Sequence, residues 1–316
     1  MDNTSQQRRN SAFDNLLTLY RRSIKRIYIL HAATHWSVSH TLIPLLERIR
    51  RFKTIPDDPF WFRLELLLHK HEYATVAQLR QLIQPNMIAL DIGAHVGYYA
   101  QFLARLVGDN GKVLAFEPHP RTFQTLSANV QRYTPVTAYP LAVSDRSGKA
   151  ELYDYLLMSA SGSLHFDESL RNLQQSQISE YDIAPRANHF ETQTFEVDTV
   201  ILDEFLPQHG ITQVDFIKMD IEGAEISALR GLKQIIQNSP RLNMIMEYNP
   251  QALKAFGYDP IEALQEVMAL GFSSVAMIND DATLTDLTDQ QEQIVELTNY
   301  LGQNMGVVNL LFKKTS

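Results

Sequence analysis

Between residues 87 and 143 the apolar positions fall in short continuous runs, with amphipathic stretches between them. MIALDIGA (87–94), GKVLAFEP (111–118) and VTAYPLAV (136–143) read as buried strands by their length and their Gly and Pro flanks. YYAQFLARLV (98–107), closed by Gly108, and PRTFQTLSANVQRY (120–133) carry helical spacing. The alternation resumes after residue 199. VDFIKMDI (214–221) is a strand, a helix follows from Gly223 to about Asn238, and LNMIMEYN (242–249) is the next strand. A helix from about Pro260 to Leu270 precedes SSVAMI (273–278), and GVVNLLFKK (306–314) closes the pattern. Seven strands with interleaved helices predict an α/β fold with a doubly wound, Rossmann-like sheet. The last two strands are separated by a polar stretch with room for at most one short helix, so the last strand is expected to run antiparallel.

Upstream the pattern is helical. Phe13, Leu16, Leu17, Tyr20, Ile24, Ile27 and Tyr28 recur at intervals of three and four. A second helix is expected from Thr41 to Phe52, with Pro44 in its first turn. TIPDDP (54–59) is a break, and FWFRLELLLHKHEYATVAQLRQLI (60–83) resumes as helix. This divides the chain into an N-terminal helical arm, 1–60, and a main domain, 61–316. Within the main domain SDRSGKAELYDY reads as a turn and a strand. Residues 155–196 are then polar, Ser- and Gln-rich and weakly periodic. An insert of that length is a lid or substrate segment, or else lacks order.

Composition changes this picture in two respects. The 316 residues include no cysteine, which excludes disulfides, thiolate metal sites and a cysteine nucleophile and fits a reducing compartment. With no apolar run of membrane-spanning length and no signal-peptide pattern at the N-terminus, the expected location is the cytoplasm. The net charge of −8 is unevenly spread. Residues 1–53 hold ten Lys or Arg against three acids, a net +7, so the remainder carries −15. An acidic body argues against nucleic acid as a partner. For the basic arm, with Arg21, Arg22, Lys25 and Arg26 beside an apolar stripe, three readings stay open: peripheral contact with an anionic membrane, self-association in a homodimer, or packing on its own domain.

The chemistry concentrates in ALDIGAHVGYYA (89–100). Ligands of open α/β sheets bind beyond the carboxyl ends of the strands, and Asp91 to Gly97 occupies such an end. Gly93 and Gly97 let the backbone turn tightly and approach a ligand, and the following helix offers free N–H groups. The spacing is G-x-x-x-G rather than G-x-G-x-x-G, with His95 where a pyrophosphate would need room. Asp91 would repel a pyrophosphate and attract an ammonium or sulfonium. Glu117 ends the next strand, where a carboxylate can accept from both ribose hydroxyls. PLAVSD (140–145) ends the third with small apolar residues that could pack on an adenine. A nucleoside with a cationic tail and no phosphate fits, as in S-adenosylmethionine.

ALDIGAHVGYYA, VLAFEPHP, PLAVSD, VDTVILDEF and VDFIKMDIEGAE together resemble the FkbM family of S-adenosylmethionine-dependent methyltransferases, over about residues 70 to 250. The resemblance implies a methyltransferase sheet and methyl transfer to a hydroxyl on a sugar, glycan or secondary metabolite. It further implies that Asp91, Gly93 and Gly97 hold the methionine part, Glu117 with Pro118 the ribose, and Ala142, Val143 and Ser144 the adenine. Asp220 would face the methyl group, and Tyr73 in HEY (71–73) would contact the cofactor. His95 stands where family members commonly carry Asn, so a side-chain contact to the methionine end is in question there.

An alcohol acceptor needs a general base. The candidates are Asp220 and Glu247 at two strand ends, Glu222, and His165 in the insert. Asp220 and Glu225 also suit helix capping, and Glu247 with Asn249 could hold loop backbone. Asp220, Glu247 and Asn249 could ligate magnesium, but their spacing does not demand it and no metal is expected. N-methylation of an amide or amine, a nicotinamide-dependent oxidoreductase and a non-catalytic binding subunit are the competing readings.

Overall fold

The structure is a computed structural model that describes residues 36–154, 162–164 and 193–314. The apolar stripe 13–28, the arginine-rich part of the arm and His165 lie outside the described residues. No described helix is long and apolar enough to cross a membrane.

The main sheet is built on β1 (Ile88–Ile92), β2 (Lys112–Phe116) and β3 (Val136–Tyr139), which pair in parallel. On the other side of β1 come β8 (Phe216–Met219) and β9 (Asn243–Tyr248), also parallel. β12 (Val308–Lys313) inserts antiparallel between β9 and β10 (Ser274–Ile278). The seven expected strands are thus all present, with the last antiparallel. A short eighth, β11 (Leu284–Asp286), extends the edge, giving the order β11-β10-β12-β9-β8-β1-β2-β3. The chain winds outward from β1 to β3 and then crosses back to β8. The strand order therefore reverses between β1 and β8, where such sheets bind ligands.

Alternation along the strands sends side chains to two cores. Leu90, Ile92, Ile217, Met219, Met244 and Met246 face one. Ala89, Phe216, Ile245 and Leu311 face the other. That second core is covered by α1 (Ile43–Arg50), α2 (Phe60–Leu67), α3 (Tyr73–Leu82) and α4 (Tyr98–Val107), through Ile43, Leu67, Leu79 and Leu103. Phe52 and Ile55 are buried in it as well.

Several elements depart from their expected extents. VTAYPLAV is not one strand. Pro140 has no N–H to give a ladder, and the chain changes sheets there. β3 stays on β2, while β4 (Leu141–Val143) pairs with β7 (Gln193–Val200) in a second sheet. β5 (Gly148–Asp154) and β6 (Gly162–Ser163) complete that sheet, in the order β4-β7-β5-β6. The 60–83 helix is two helices, because His69 and Glu72 take left-handed backbone angles (φ 55° and 42°) that turn the chain between α2 and α3. The 223–238 helix likewise divides at Gly231 into α7 (Glu225–Arg230) and α8 (Lys233–Asn238), with α6 (Leu202–Gln208) before them. Besides α9 (Pro250–Ala255) and α10 (Pro260–Ala269), the polar stretch after β10 holds the 14-residue α11 (Gln291–Asn304). The expectation of at most one short helix there was too small. Ile294, Leu297 and Leu301 are its apolar positions toward the core, a stripe too sparse to stand out among polar neighbours.

Candidate active site

A cleft of about 300 Å³ opens beyond the carboxyl ends of β1, β2, β8 and β9. The β1–α4 turn forms one of its edges. Gly93 has φ +81°, and a Cβ built on it would lie 1.8 Å from the Asp220 carbonyl oxygen. Only glycine lets the β1 turn press against the end of β8. Gly97, at φ +84°, packs in the same way against Leu126, where a Cβ would come within 2.9 Å.

Glu117 is buried at the end of β2. Its Oε2 accepts from the His95 amide and its Oε1 from the His119 amide, each at 2.9 Å. Two backbone donors hold the carboxylate rigid and leave each oxygen a lone pair toward the cleft. Burial nevertheless pushes it up to about 7, with those amides and His119 opposing the rise. Burial also keeps the His95 imidazole neutral, pushed down to about 3, with His71 and His119 adding to the effect. His119 caps α5 (Pro120–Val130) and reaches with Nε2 to Asp154 Oδ2 at 3.1 Å, which ties the second sheet to the first. Ala142, Val143 and Leu152 of that sheet form an apolar wall on this side of the cleft.

The opposite end is polar, and strand periodicity is the reason. Asp91 of β1 pairs in register with Lys218 of β8, and Glu247 of β9 pairs with Asn309 of β12. These four belong to the positions that alternate toward the second core, so four adjacent strands place polar side chains on one face. Glu72, from the turn before α3, joins them and takes hydrogen bonds from Tyr99 and, at 2.8 Å, from Asn309 Nδ2. Lys218 Nζ is fully buried, 3.1 Å from Asp220 Oδ2 and 5.1 Å from the centre of the Tyr99 ring. Burial alone would lower Lys218, but Asp220, Glu72 and Glu247 raise it above the usual lysine value, so it is a fixed cation. Burial would raise Glu72, yet Lys218, His71 and its hydrogen bonds hold it below the usual carboxylate range. Glu247 moves the other way: burial, with Asp220 and Glu222 nearby, pushes it well up. Glu222, at the left-handed φ of 51°, is pushed to about 8 by burial, Asp220 and Glu225. Glu72, Asp220 and Glu247 each bring a carboxylate oxygen within 4.8 Å of the others, close enough to share a cation. Lys218 is in ion-pair contact with one of them, Asp220.

Of the residues anticipated from the sequence, Gly93, His95, Glu117, Pro118, Ala142, Val143, Asp220, Glu222 and Glu247 line this cleft. Gly97 and Asp91 support it from behind. Asp91 is fully buried, and burial pushes it to about 7, with Lys218 and the Ala100 amide opposing the rise and Asp220 adding to it. Ser144 does not line the cleft; its amide donates to the Val200 carbonyl, continuing the β4–β7 pairing within the second sheet. Tyr73 begins α3 and does not line the cleft, whereas its neighbours His71 and Glu72 do. Asn249 Oδ1 accepts from the amides of Gln251 and Ala252 and caps α9. Glu225 Oε1 accepts from the amides of Ile221 and Gly223 and pins the turn after β8. Sequence reasoning missed Glu72, Lys218, Tyr98 and Tyr99. The period-2 pattern could have found Lys218, as a charge at an inward position of a buried strand.

Comparison with known proteins agrees with this geometry. A family model described as the methyltransferase FkbM domain matches residues 91–274. The chain is 29% identical to Methyltransferase 1 of Beauveria bassiana, over 45% of this chain and 57% of that protein. It is 25% identical to 2-O-methyltransferase NoeI of Sinorhizobium fredii, over 72% of this chain and 86% of that one. To the 31-O-demethyl-FK506 methyltransferase FkbM of Streptomyces tacrolimicus it is 28% identical, over 61% and 75%.

Proposed function

The chain belongs to the FkbM methyltransferase family, and from that premise we propose that it transfers the methyl group of S-adenosylmethionine to a hydroxyl on a sugar, glycan or secondary metabolite. The observation that carries this reading is one cleft with a backbone-held carboxylate at one end, Glu117, and a cluster of carboxyls around one buried cation at the other. S-adenosylmethionine supplies a methyl carbon already activated by its sulfonium. Ala142 and Val143 give its adenine an apolar wall, Glu117 accepts from the ribose hydroxyls, and the Gly93 turn leaves space for the methionine part. The acidic end favours a ligand that carries a sulfonium and an ammonium.

An in-line displacement needs alignment and exclusion of water, together with removal of the acceptor's proton. Glu247 is the base in this reading. It ends β9 on the same cleft as Asp220, at the acidic end where the acceptor hydroxyl would lie. Asp220, held by Lys218, orients the acceptor or the methyl end. Two relatives are named for O-methylation, which supports a hydroxyl acceptor over an amine. A cytoplasmic location belongs to the same reading, supported by the absence of cysteine.

The test is transfer of labelled methyl from S-adenosylmethionine to a panel of glycosides and polyol metabolites. Transfer should be seen to a hydroxyl oxygen, and Glu247→Gln should lower kcat by about 10²- to 10⁴-fold. Labelling confined to nitrogen acceptors, or a rate untouched by Glu247→Gln, would overturn the assignment of acceptor or base respectively.

A further inference from the structure

A second cavity, of about 440 Å³, lies among the C-terminal end of α1, the 68–72 turn, α4 and the chain after α5. It is lined by Arg50, His69, Gln101, Arg105, Arg132 and Tyr133. Three arginines face it, one of them already donating to backbone: Arg132 to the Arg50 carbonyl at 3.2 Å. None of the three arginines forms an ion pair among the described residues, although the protein as a whole is acidic.

The hydrogen bonds within the cavity leave further donors free. Arg105 donates to Gln101 Oε1 at 3.4 Å. A guanidinium can only donate, so this contact fixes the amide orientation and turns Gln101 Nε2 away from it. Gln101 is 2% exposed, and its Nε2 has no partner. Arg105 and Arg132 both donate to the Tyr133 hydroxyl, at 2.7 and 2.8 Å, and both guanidiniums lie over the Tyr133 ring. A hydroxyl that accepts twice keeps its own proton to donate. His69 Nδ1 is buried without a partner as well. Burial, Arg50, Arg105 and Arg80 hold the imidazole neutral, pushed down to about 4. Three arginines without ion pairs, beside a hydroxyl with a free proton and a buried amide nitrogen without a partner, suit an acceptor-rich anion.

We propose that this cavity is a binding site for a phosphate-class oxyanion, separate from the methyl-transfer cleft. Arg50, Arg105 and Arg132 supply the charge, and Gln101 and Tyr133 supply the fixed donors. The volume exceeds the needs of one phosphate group, which suits a diphosphate or a phosphate carried on a larger body. The site lies farther along α4 from the cleft, toward the C-terminal end of the helix. Tyr98 and Tyr99 border the cleft, and Gln101 and Arg105 follow on the same helix. The 68–72 turn serves both, sending His69 to one and Glu72 to the other.

The experiment uses the full chain and three probes: pyrophosphate, a hexose 1-phosphate, and vesicles of phosphatidylcholine with and without phosphatidic acid. Soluble probes are followed by calorimetry and thermal melting against sodium chloride at equal ionic strength, and vesicles by co-sedimentation. At least one probe should bind saturably. Arg105→Gln and Arg132→Gln, both at exposed positions that leave the fold intact, should each weaken it about tenfold or more. Binding only to phosphatidic acid vesicles would assign the phosphate to a lipid headgroup, and binding of the soluble probes would assign it to a free metabolite. No saturable binding of any probe, or binding in both variants as tight as in the wild type, overturns the proposal.

Discussion

The Lys218 ammonium lies 3.1 Å from the Asp220 carboxylate, two residues along the same strand and turn, and has no exposure to solvent. It is the fixed positive charge among Glu72, Asp91, Asp220 and Glu247, and it decides how many acids that face can keep ionised.

Removing this charge should therefore damage the protein more than removing an exposed lysine. Lys218→Met leaves buried carboxylates unpaired, and a loss of about 3–5 kcal/mol is expected in urea unfolding at pH 8. At pH 5 the loss should be smaller, because the acids can take up protons in place of the ammonium. An equal loss at both values would mean that Lys218 acts by packing alone.

Asp91 makes a pH prediction of its own. Burial pushes its carboxyl up to about 7, above the usual aspartate range, so the folded state binds this proton more tightly than the unfolded one. The stability it contributes is complete below the unfolded pKa and is lost as pH rises through about 7. Urea titrations between pH 5 and pH 8 should show the wild type losing more stability than Asp91→Asn, which has no proton to release.

Gly93→Ala tests the contact between the two strand ends. The new methyl would collide with the Asp220 carbonyl at 1.8 Å, at a backbone angle unfavourable to alanine. Either the turn moves or the fold does not form. We expect a large drop in melting temperature, and loss of S-adenosylmethionine binding in any folded fraction. Gly210→Ala, whose Cβ meets nothing within 4 Å at a similar φ of +71°, separates backbone strain from collision and should be far milder.

How much of this could be read from the sequence follows from the reach of each signal. The strand runs and their flanking glycines are local, so β1, β2, β8 and β9 were legible along with Gly93, Glu117, Asp220 and Glu247 at their ends. The break at Pro140 was written in the sequence, but which sheet each half joins depends on β7, more than fifty residues later. Glu72 could not be found by pattern. It reaches the cleft only because His69 and Glu72 itself adopt left-handed angles that swing it over Tyr99 and Asn309. Lys218 was legible as a charge at an inward position of a buried strand, but what it pairs with depends on Glu72 and on Glu247 of β9, which lie far away in sequence. Asn249 suited a ligand and a cap equally by sequence, and the amides of Gln251 and Ala252 decide for the cap.

Calorimetric titration of the full chain with S-adenosylmethionine and S-adenosylhomocysteine, with NAD alongside and Glu117→Ala as the variant, is the measurement to make first. Micromolar binding of both sulfur nucleosides, with none of NAD and a loss of about tenfold or more in Glu117→Ala, is the expected result. Tighter binding of NAD, or sulfur-nucleoside binding indifferent to Glu117, would contradict the reading of this cleft.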